Sequence, residues 1–452
     1  MHPHNLLDRQ TSNHGNKLQT AELAHRHGFA VSPAGMYTAM NPRYKNLDLW
    51  GIGLGILFPL FFQLSGGIYR DVDEMADSRG LLTTLPLPIS ILTCLAALTF
   101  LAGRFGRARP ALAMIVGTLV VSMTSLWLGS DGVTSPQRKL LMILQVMLPL
   151  VGLLLGQVVD DKHKVIARAY LVVLSVVVPL QLVATKIQGE QILTHYLYAF
   201  NIYSHRQYVA LILVCAFAYS LSSLWEEYKL WLCMLMILMF VYVTRSYSFL
   251  AIFGYGALVI AFGAWKLWAY RSNSKWVLVS LFLIVVAGLG GLTYSGKIEG
   301  QRISSLFLGK FEELSQGKIP ANVQERFEDW KNFGNGILES KTTLLVGHPQ
   351  PMPREIRTSP HNWYIDVVYN FGLVSLLPIL ILMGYTADLC WRQRKTLPAE
   401  TWWLAAIVFY LVVIDSNFKV TLRQPYPGIF AYFMWGLLLS RLRAVVADKR
   451  GA

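Results

Sequence analysis

Long apolar runs separated by short polar segments repeat along most of this chain. Many of the runs have about 17–25 residues, the length that an α-helix needs to cross the hydrocarbon core of a bilayer. Clusters of lysine and arginine stand between alternate runs. The pattern predicts an all-α polytopic membrane protein with about twelve spans. The predicted spans lie near residues 48–66, 83–102, 110–128, 139–158, 165–184, 206–222, 230–244, 248–268, 275–294, 361–388, 401–417 and 427–442.

Composition and charge agree with a membrane location. The 452 residues are 54% hydrophobic and only 15% charged, which is too little charge to cover the surface of a soluble protein. The formal net charge of +14 is concentrated in the loops between alternate runs. The positive-inside rule assigns such loops to the cytoplasm, so orientation explains most of the charge and no nucleic-acid partner is expected.

This orientation divides the chain into five parts. A cytoplasmic tail (1–46) precedes the first nine spans (47–293), and a large periplasmic loop (294–360) separates them from the last three (361–442). A second cytoplasmic tail (443–452) follows. The first tail is polar and lacks the apolar core of a cleavable signal peptide.

The large loop contains the run VQERFEDWKNFGNGILE. In it Val323, Phe327, Trp330 and Phe333 recur at helical spacing beside charged residues. We expect a short amphipathic helix that lies over the membrane face.

The stretch TSPHNWYIDVVYNFG places a histidine at the start of an apolar run. Ser359 followed by Pro360 predicts a helix N-cap and first helical position, with His361 and Asn362 in the first turn. The N-terminus of a helix favours a neutral imidazole and binds anions, so His361 is a candidate base. Asn362 and Asp366, four residues apart, can touch. The alternative is an interfacial histidine that only anchors a helix end.

Arginines on the predicted outer face form a second candidate group. Arg245 stands between two apolar runs, where a charge is costly, and it is either an anion ligand or a snorkelling anchor. Arg326, Arg206 and Arg357 are each compatible with solvated or interfacial positions. Together with the abundant Tyr and Trp, the arginines suit an anionic lipid-linked substrate, because guanidinium groups match phosphate oxygens. No metal constellation is visible, so metal-independent chemistry is expected.

Four short motifs resemble the bacterial O-antigen ligase and polymerase superfamily. HNWYIDVVYNFGLVS is similar to its signature, in which a His-Asn pair opens a membrane helix and a glycine follows, here Gly372. RFEDW (326–330) resembles its Arg-x-x-x-Trp element, LLVGHPQP its glycine-containing turn and VTRSYSFLAI its Thr/Ser-Arg turn. The resemblance covers roughly residues 241–378. Two features depart from the family pattern. Ser375 stands where a second glycine is common, and the turn reads GHP where a glycine pair is usual.

The resemblance implies a GT-C-like glycosyltransferase of the bacterial inner membrane whose active site faces the periplasm. It implies an undecaprenyl-diphosphate-linked glycan as donor, a single inverting displacement, and no cofactor or metal. His361 becomes the base that deprotonates an acceptor hydroxyl, and Arg245 and Arg326 bind the diphosphate. Apart from the resemblance, Arg206, Asn362 and Arg357 are further candidate substrate-binding residues on the predicted outer face.

Three functions stay open at this stage. The order of the motifs and the single large loop favour a ligase that transfers glycan to lipid A–core. The first alternative is an O-antigen or exopolysaccharide repeat-unit polymerase, whose acceptor is another lipid-linked glycan. The second is a polysaccharide or lipid transporter, although the repeated halves typical of transporters are not visible. Membrane lipids are expected partners in every case.

Overall fold

A computed structural model describes residues 42–59, 61–63, 86–129, 136–161, 163–188, 206–246, 248–269, 313, 315–317, 321–348, 352 and 359–451. Asp48–Ala452 form one compact unit, and the other unit, Met1–Leu47, lies largely outside the described residues. The predicted ninth span (275–294) and Arg357 also lie outside them.

The described residues are predominantly helical, as expected. The helices are α1 (Pro42–Leu57), α2 (Ile89–Leu101), α3 (Arg109–Leu128), α4 (Pro136–Val158), α5 (Val165–Gln188), α6 (Arg206–Arg245), α7 (Phe249–Ala269), α8 (Ala321–Leu338), α9 (Lys341–Val346), α10 (Trp363–Phe371), α11 (Leu377–Gln393), α12 (Ala399–Phe409) and α13 (Pro425–Gly451). Two three-residue strands, β1 (Phe61–Gln63) and β2 (Pro86–Pro88), pair antiparallel with Phe61 opposite Pro88. The architecture is that of an all-α membrane protein with this one short strand pair.

Seven helical stretches in the described part of the chain are long and apolar enough to cross a membrane. They are Ile89–Leu128, Val165–Ala184, Tyr208–Arg245, Phe249–Lys266, Leu373–Gln393, Ala399–Asn417 and Pro425–Val445. Two shorter apolar helices, Asn46–Leu57 and Met142–Val158, accompany them. A multi-pass membrane protein is therefore supported, whereas the full count of twelve spans stays a prediction.

Helix α6 reverses direction near its middle. Tyr228 has non-helical backbone angles (φ −131°, ψ 37°). The ring of Tyr255 stacks on Phe217, before Tyr228, and its hydroxyl donates to the carbonyl of Met236, after Tyr228. One straight helix cannot bring residues 19 positions apart to the same tyrosine, because they would be separated by roughly 28 Å. The two halves of α6 therefore lie side by side.

A second reversal joins α2 to α3. The connecting 3₁₀ segment, Ala102–Ala108, carries Arg104 and Arg107. Arg443, near the end of α13, donates to the carbonyl of Arg107. We call this side of the protein the arginine-rich end.

Helix α13 occupies the centre of the bundle. All its residues from Pro425 to Leu439 are buried, as expected for a helix that is apolar on every side. It packs most extensively on α4, where Gly152 and Gly156 face its backbone: a Cβ at Gly156 would come 2.2 Å from the carbonyl oxygen of Phe433. Small residues at this spacing allow two helix backbones to approach closely.

The predicted tenth span is not one continuous helix. Helix α10 ends at Phe371, and a 3₁₀ turn, Leu373–Leu376, leads into α11. Gly372 separates them with a left-handed φ of +76°. The break sets α10 apart as a short helix beside the candidate site.

Candidate functional site

Three segments that are distant in sequence meet at the opposite end of the bundle, which we call the His361 end. They are helix α8, the turn at residues 359–362, and the residues Asp415–Arg423, which we call the 415–423 segment. Trp330 of α8 donates to the carbonyl of Pro360 over 2.9 Å. Arg326, one turn earlier on α8, donates to the carbonyl of Phe418 over 3.2 Å. These two bonds fix α8 against both other segments.

The structure corrects the predicted start of the helix at His361. Asn362 is the N-cap, since its side-chain oxygen accepts hydrogen bonds from the backbone N–H groups of Tyr364 and Ile365. Ser359 does not cap the helix; its hydroxyl accepts from the N–H of His361 within the preceding turn. The bidentate cap of Asn362 satisfies two N–H groups at once, so the helix begins at Trp363.

His361 therefore stands outside the first helical turn. Its φ is +50°, a left-handed conformation that costs a non-glycine residue about 1–2 kcal/mol. The residue is exposed, between buried Pro360 and buried Asn362. Strain of this kind persists only where the surroundings hold it, and it concentrates at functional sites.

Helix α8 is present as predicted, but its buried face differs from the expected one. Phe327 is 51% exposed, whereas Phe333 and Ile337 are buried against α10. Asp329 is 1% exposed, on the same face as Arg326. This face mixes charged and apolar side chains, so hydrophobic spacing alone assigned Phe327 to the wrong side.

Burial and the neighbouring carboxylates act in opposite directions on the pKa of Arg326. Burial lowers the pKa of the Arg326 guanidinium, and the carboxylates of Asp329 and Asp415 act in the opposite direction. The group stays charged at any physiological pH, because an arginine cannot be deprotonated in proteins. A partly desolvated guanidinium interacts more strongly with an anion than one in bulk water.

The 415–423 segment carries a buried charge cluster. It follows a π-helical turn, Tyr410–Ile414, a feature often found at functional sites. The ammonium group of Lys419 lies 3.3 Å from the carboxylate of Asp415, and the hydroxyl of Thr421 donates to the same carboxylate. Burial lowers the pKa of Lys419, with Asp415 opposing that effect and Arg326 adding to it. Lys419 and Arg326 thus bring two positive charges close together.

A second ion pair ties the same segment to α10. One nitrogen of Arg423 lies 2.7 Å from each carboxylate oxygen of Asp366. Asp366 therefore pairs with Arg423 rather than with the side chain of Asn362. The Asn362 amide donates instead to the side-chain oxygen of Asn417, 3.2 Å away. Both contacts join the start of α10 to the 415–423 segment.

Two glycines pack the GHP turn onto the end of α10. A Cβ at Gly347, where φ is +100°, would come 2.6 Å from the backbone nitrogen of Phe371. A Cβ at Gly372 would come 2.1 Å from the carbonyl oxygen of Leu345. His348 adds a backbone bond to Tyr369 and stacks its ring on the same residue. The two motifs that surround these glycines therefore form one packed unit.

Substitution of Gly372 by alanine is expected to disrupt this unit. The new methyl group overlaps the carbonyl of Leu345, and the left-handed backbone adds about 1–2 kcal/mol. The matched control is Gly384→Ala in the middle of α11, where a Cβ meets no atom within 4 Å. We expect Gly372→Ala to lower the thermal transition temperature, measured in detergent micelles. Gly384→Ala should leave that temperature unchanged. Equal transitions for the two variants would contradict the packing described.

Arg245 lies at the His361 end. The first half of α6 begins there, since Lys419 lies 5.2 Å from the ring of Tyr208. The chain reverses at Tyr228, so the second half returns and ends at Arg245, which is half-buried. Arg206, the first residue of α6, starts the same helix at this end.

Sequence reasoning missed three charged residues of the site. They are Arg423, Lys419 and Asp415, none of which the motifs or the periodicity single out. Both cations lie in a short segment on the predicted outer face, where the positive-inside rule disfavours basic residues. That violation is the signal by which the sequence marks them.

Two nearby tyrosines are poor candidates for a base. Burial raises the pKa of Tyr364 to about 12, and burial together with Glu339 raises the pKa of Tyr369 to about 12. Both hydroxyls therefore stay protonated at neutral pH. In the described part of the chain, no group of three or more His, Cys, Asp or Glu residues is placed to hold a metal ion.

Comparison with known protein families and with curated proteins finds no match for this chain.

Proposed function

We propose that this protein is a membrane glycosyltransferase that transfers a glycan from an undecaprenyl-diphosphate carrier at the periplasmic face of a bacterial inner membrane. The observation that carries the proposal is the pair of bonds from α8, Trp330 to Pro360 and Arg326 to Phe418. Through them, the Arg-x-x-x-Trp run and the His-Asn run occupy one site. Residues that resemble two separate family motifs are thereby adjacent, although about 30 positions separate them in sequence.

Electrostatics at the His361 end support an anionic donor. Arg326, Lys419 and Arg423 belong to connected segments there, and Arg245 lies at the same end. Asp415, Asp366 and Asp329 neutralise part of this charge. Guanidinium groups bind phosphate oxygens in a bidentate fashion, so this region suits a diphosphate.

The proposed reaction is a single displacement. A ring nitrogen of His361 takes the proton from an acceptor sugar hydroxyl, and the resulting oxygen attacks the anomeric carbon of the donor. The bond from that carbon to the phosphate oxygen breaks as the new glycosidic bond forms. The carrier diphosphate leaves with its charge stabilised by Arg245 and Arg326. Configuration at the anomeric carbon inverts.

The acceptor distinguishes the alternatives. We favour lipid A–core, which makes the protein an O-antigen ligase, and a second lipid-linked glycan would make it a polymerase. Purified protein is incubated with lipid-linked glycan, with and without lipid A–core. A product that forms only with lipid A–core supports the ligase. A ladder without it means polymerase, and no covalent product in either mixture favours transport.

Arg326→Ala is expected to reduce transfer at limiting donor by roughly 10²-fold, because one charge-stabilising donor is removed. The matched control is Lys331→Ala, which removes one positive charge from an exposed position on the same helix. Initial rates at several donor concentrations measure both. A similar loss in the two variants would indicate a general effect of charge and would overturn the diphosphate assignment of Arg326.

A further inference from the structure

An open groove lies between α3 and α11, near the arginine-rich end and away from the site described above. Its volume is about 570 Å³. Most of its lining is apolar, with Gly117 and Pro378 near one end and Tyr385 towards the other. Ile381, in its wall, is 69% exposed. No side chain in the described part of the protein fills this groove.

Two arginines line the other end of the groove. They are Arg109, the first residue of α3, and Arg443 of α13. Arg107 and Arg104 lie in the adjoining 3₁₀ segment. Among the described lining residues none is acidic. The acid of α11 that follows Tyr385, Asp388, is paired with Arg392.

The dimensions match one leaflet of a membrane. Arg109 and Val121, both in the lining, are twelve residues apart on α3, which corresponds to roughly 18 Å. Half of a typical hydrocarbon core measures roughly 15 Å. An acyl chain that lies along this groove therefore places its headgroup beside the arginines and its end near the bilayer midplane.

We propose that the groove binds an anionic phospholipid of the leaflet at the arginine-rich end. The guanidinium groups of Arg109 and Arg443 bind the phosphate, and the apolar walls around Gly117 and Ile381 hold an acyl chain. Basic pockets between transmembrane helices recognise such headgroups in general. Gly117 is essential to the shape, since it leaves the groove open beside Pro378.

The proposal is tested by titrating the purified full chain in detergent with phosphatidylglycerol or phosphatidylcholine of identical acyl chains and counting bound lipids by native mass spectrometry. We expect tighter binding of phosphatidylglycerol. Arg109→Gln with Arg443→Gln should weaken it by roughly ten- to thirty-fold, the effect of two arginine charges. The control is Arg392→Gln with Arg394→Gln, which removes two exposed arginines outside the groove.

Arg443 also donates a hydrogen bond to the backbone of Arg107, so its substitution can impair folding. A second variant therefore separates loss of the groove from a folding defect. Gly117→Leu fills the groove without changing charge and is expected to reduce phosphatidylglycerol binding while the thermal transition is retained. Equal binding of the two lipids by the unaltered protein would overturn the proposal, as would unchanged binding in Gly117→Leu. Displacement of phosphatidylglycerol by an equal concentration of undecaprenyl phosphate would also overturn it, since the occupant would then be an isoprenoid carrier.

Discussion

Replacing His361 by alanine is expected to reduce glycan transfer by roughly 10²–10⁴-fold, the contribution of a positioned general base. The physical reason is that the displacement needs an acceptor oxygen that has lost its proton. His361 is exposed at the site. It follows Pro360, whose carbonyl accepts a hydrogen bond from Trp330. The measurement is transfer by purified protein at saturating donor and acceptor.

A second substitution separates the imidazole from the backbone of the turn. His361 adopts φ +50°, a conformation that asparagine accepts far more readily than alanine. His361→Asn therefore keeps the turn and removes the base, and we expect it to be as inactive as His361→Ala. If His361→Asn is active while His361→Ala is inactive, the role of His361 is to hold the turn and not to act as a base. His163→Ala, at an exposed histidine before α5, should leave transfer unchanged.

The largest expected loss of stability is that of Arg423→Ala. It leaves the carboxylate of Asp366, only 4% exposed, without its partner. Breaking a buried ion pair by removing one member costs about 3–5 kcal/mol. The thermal transition in detergent micelles should fall, and the contacts of α10 with the 415–423 segment should loosen.

The matched control is Arg392→Ala, which breaks the exposed pair with Asp388 at a cost of less than about 1 kcal/mol. Removing both buried charges, in Asp366→Asn with Arg423→Met, should recover much of the loss, because no uncompensated charge remains. If Arg423→Ala and Arg392→Ala lower the transition equally, the pair with Asp366 is not the stabilising contact inferred from its geometry.

Hydropathy predicted the apolar helices well because each span must satisfy its own backbone hydrogen bonds in the membrane. It also located the turn between 206–222 and 230–244, which the structure places at Tyr228. The start of α10 was predicted wrongly. Ser-Pro is a strong local cap signal, yet the competing cap by Asn362 depends on hydrogen bonds whose relative strength no spacing rule gives.

The sequence by itself determined which segments are apolar and that α8 is helical, and it put forward His361 and Arg326 as candidates. Only the tertiary structure decided the partners: Asp366 with Arg423, Asn362 with Asn417 and Trp330 with Pro360. Periodicity reports interactions within one helix, over three or four residues. Contacts between residues 30 to 57 positions apart depend instead on how helices pack, which no local pattern encodes.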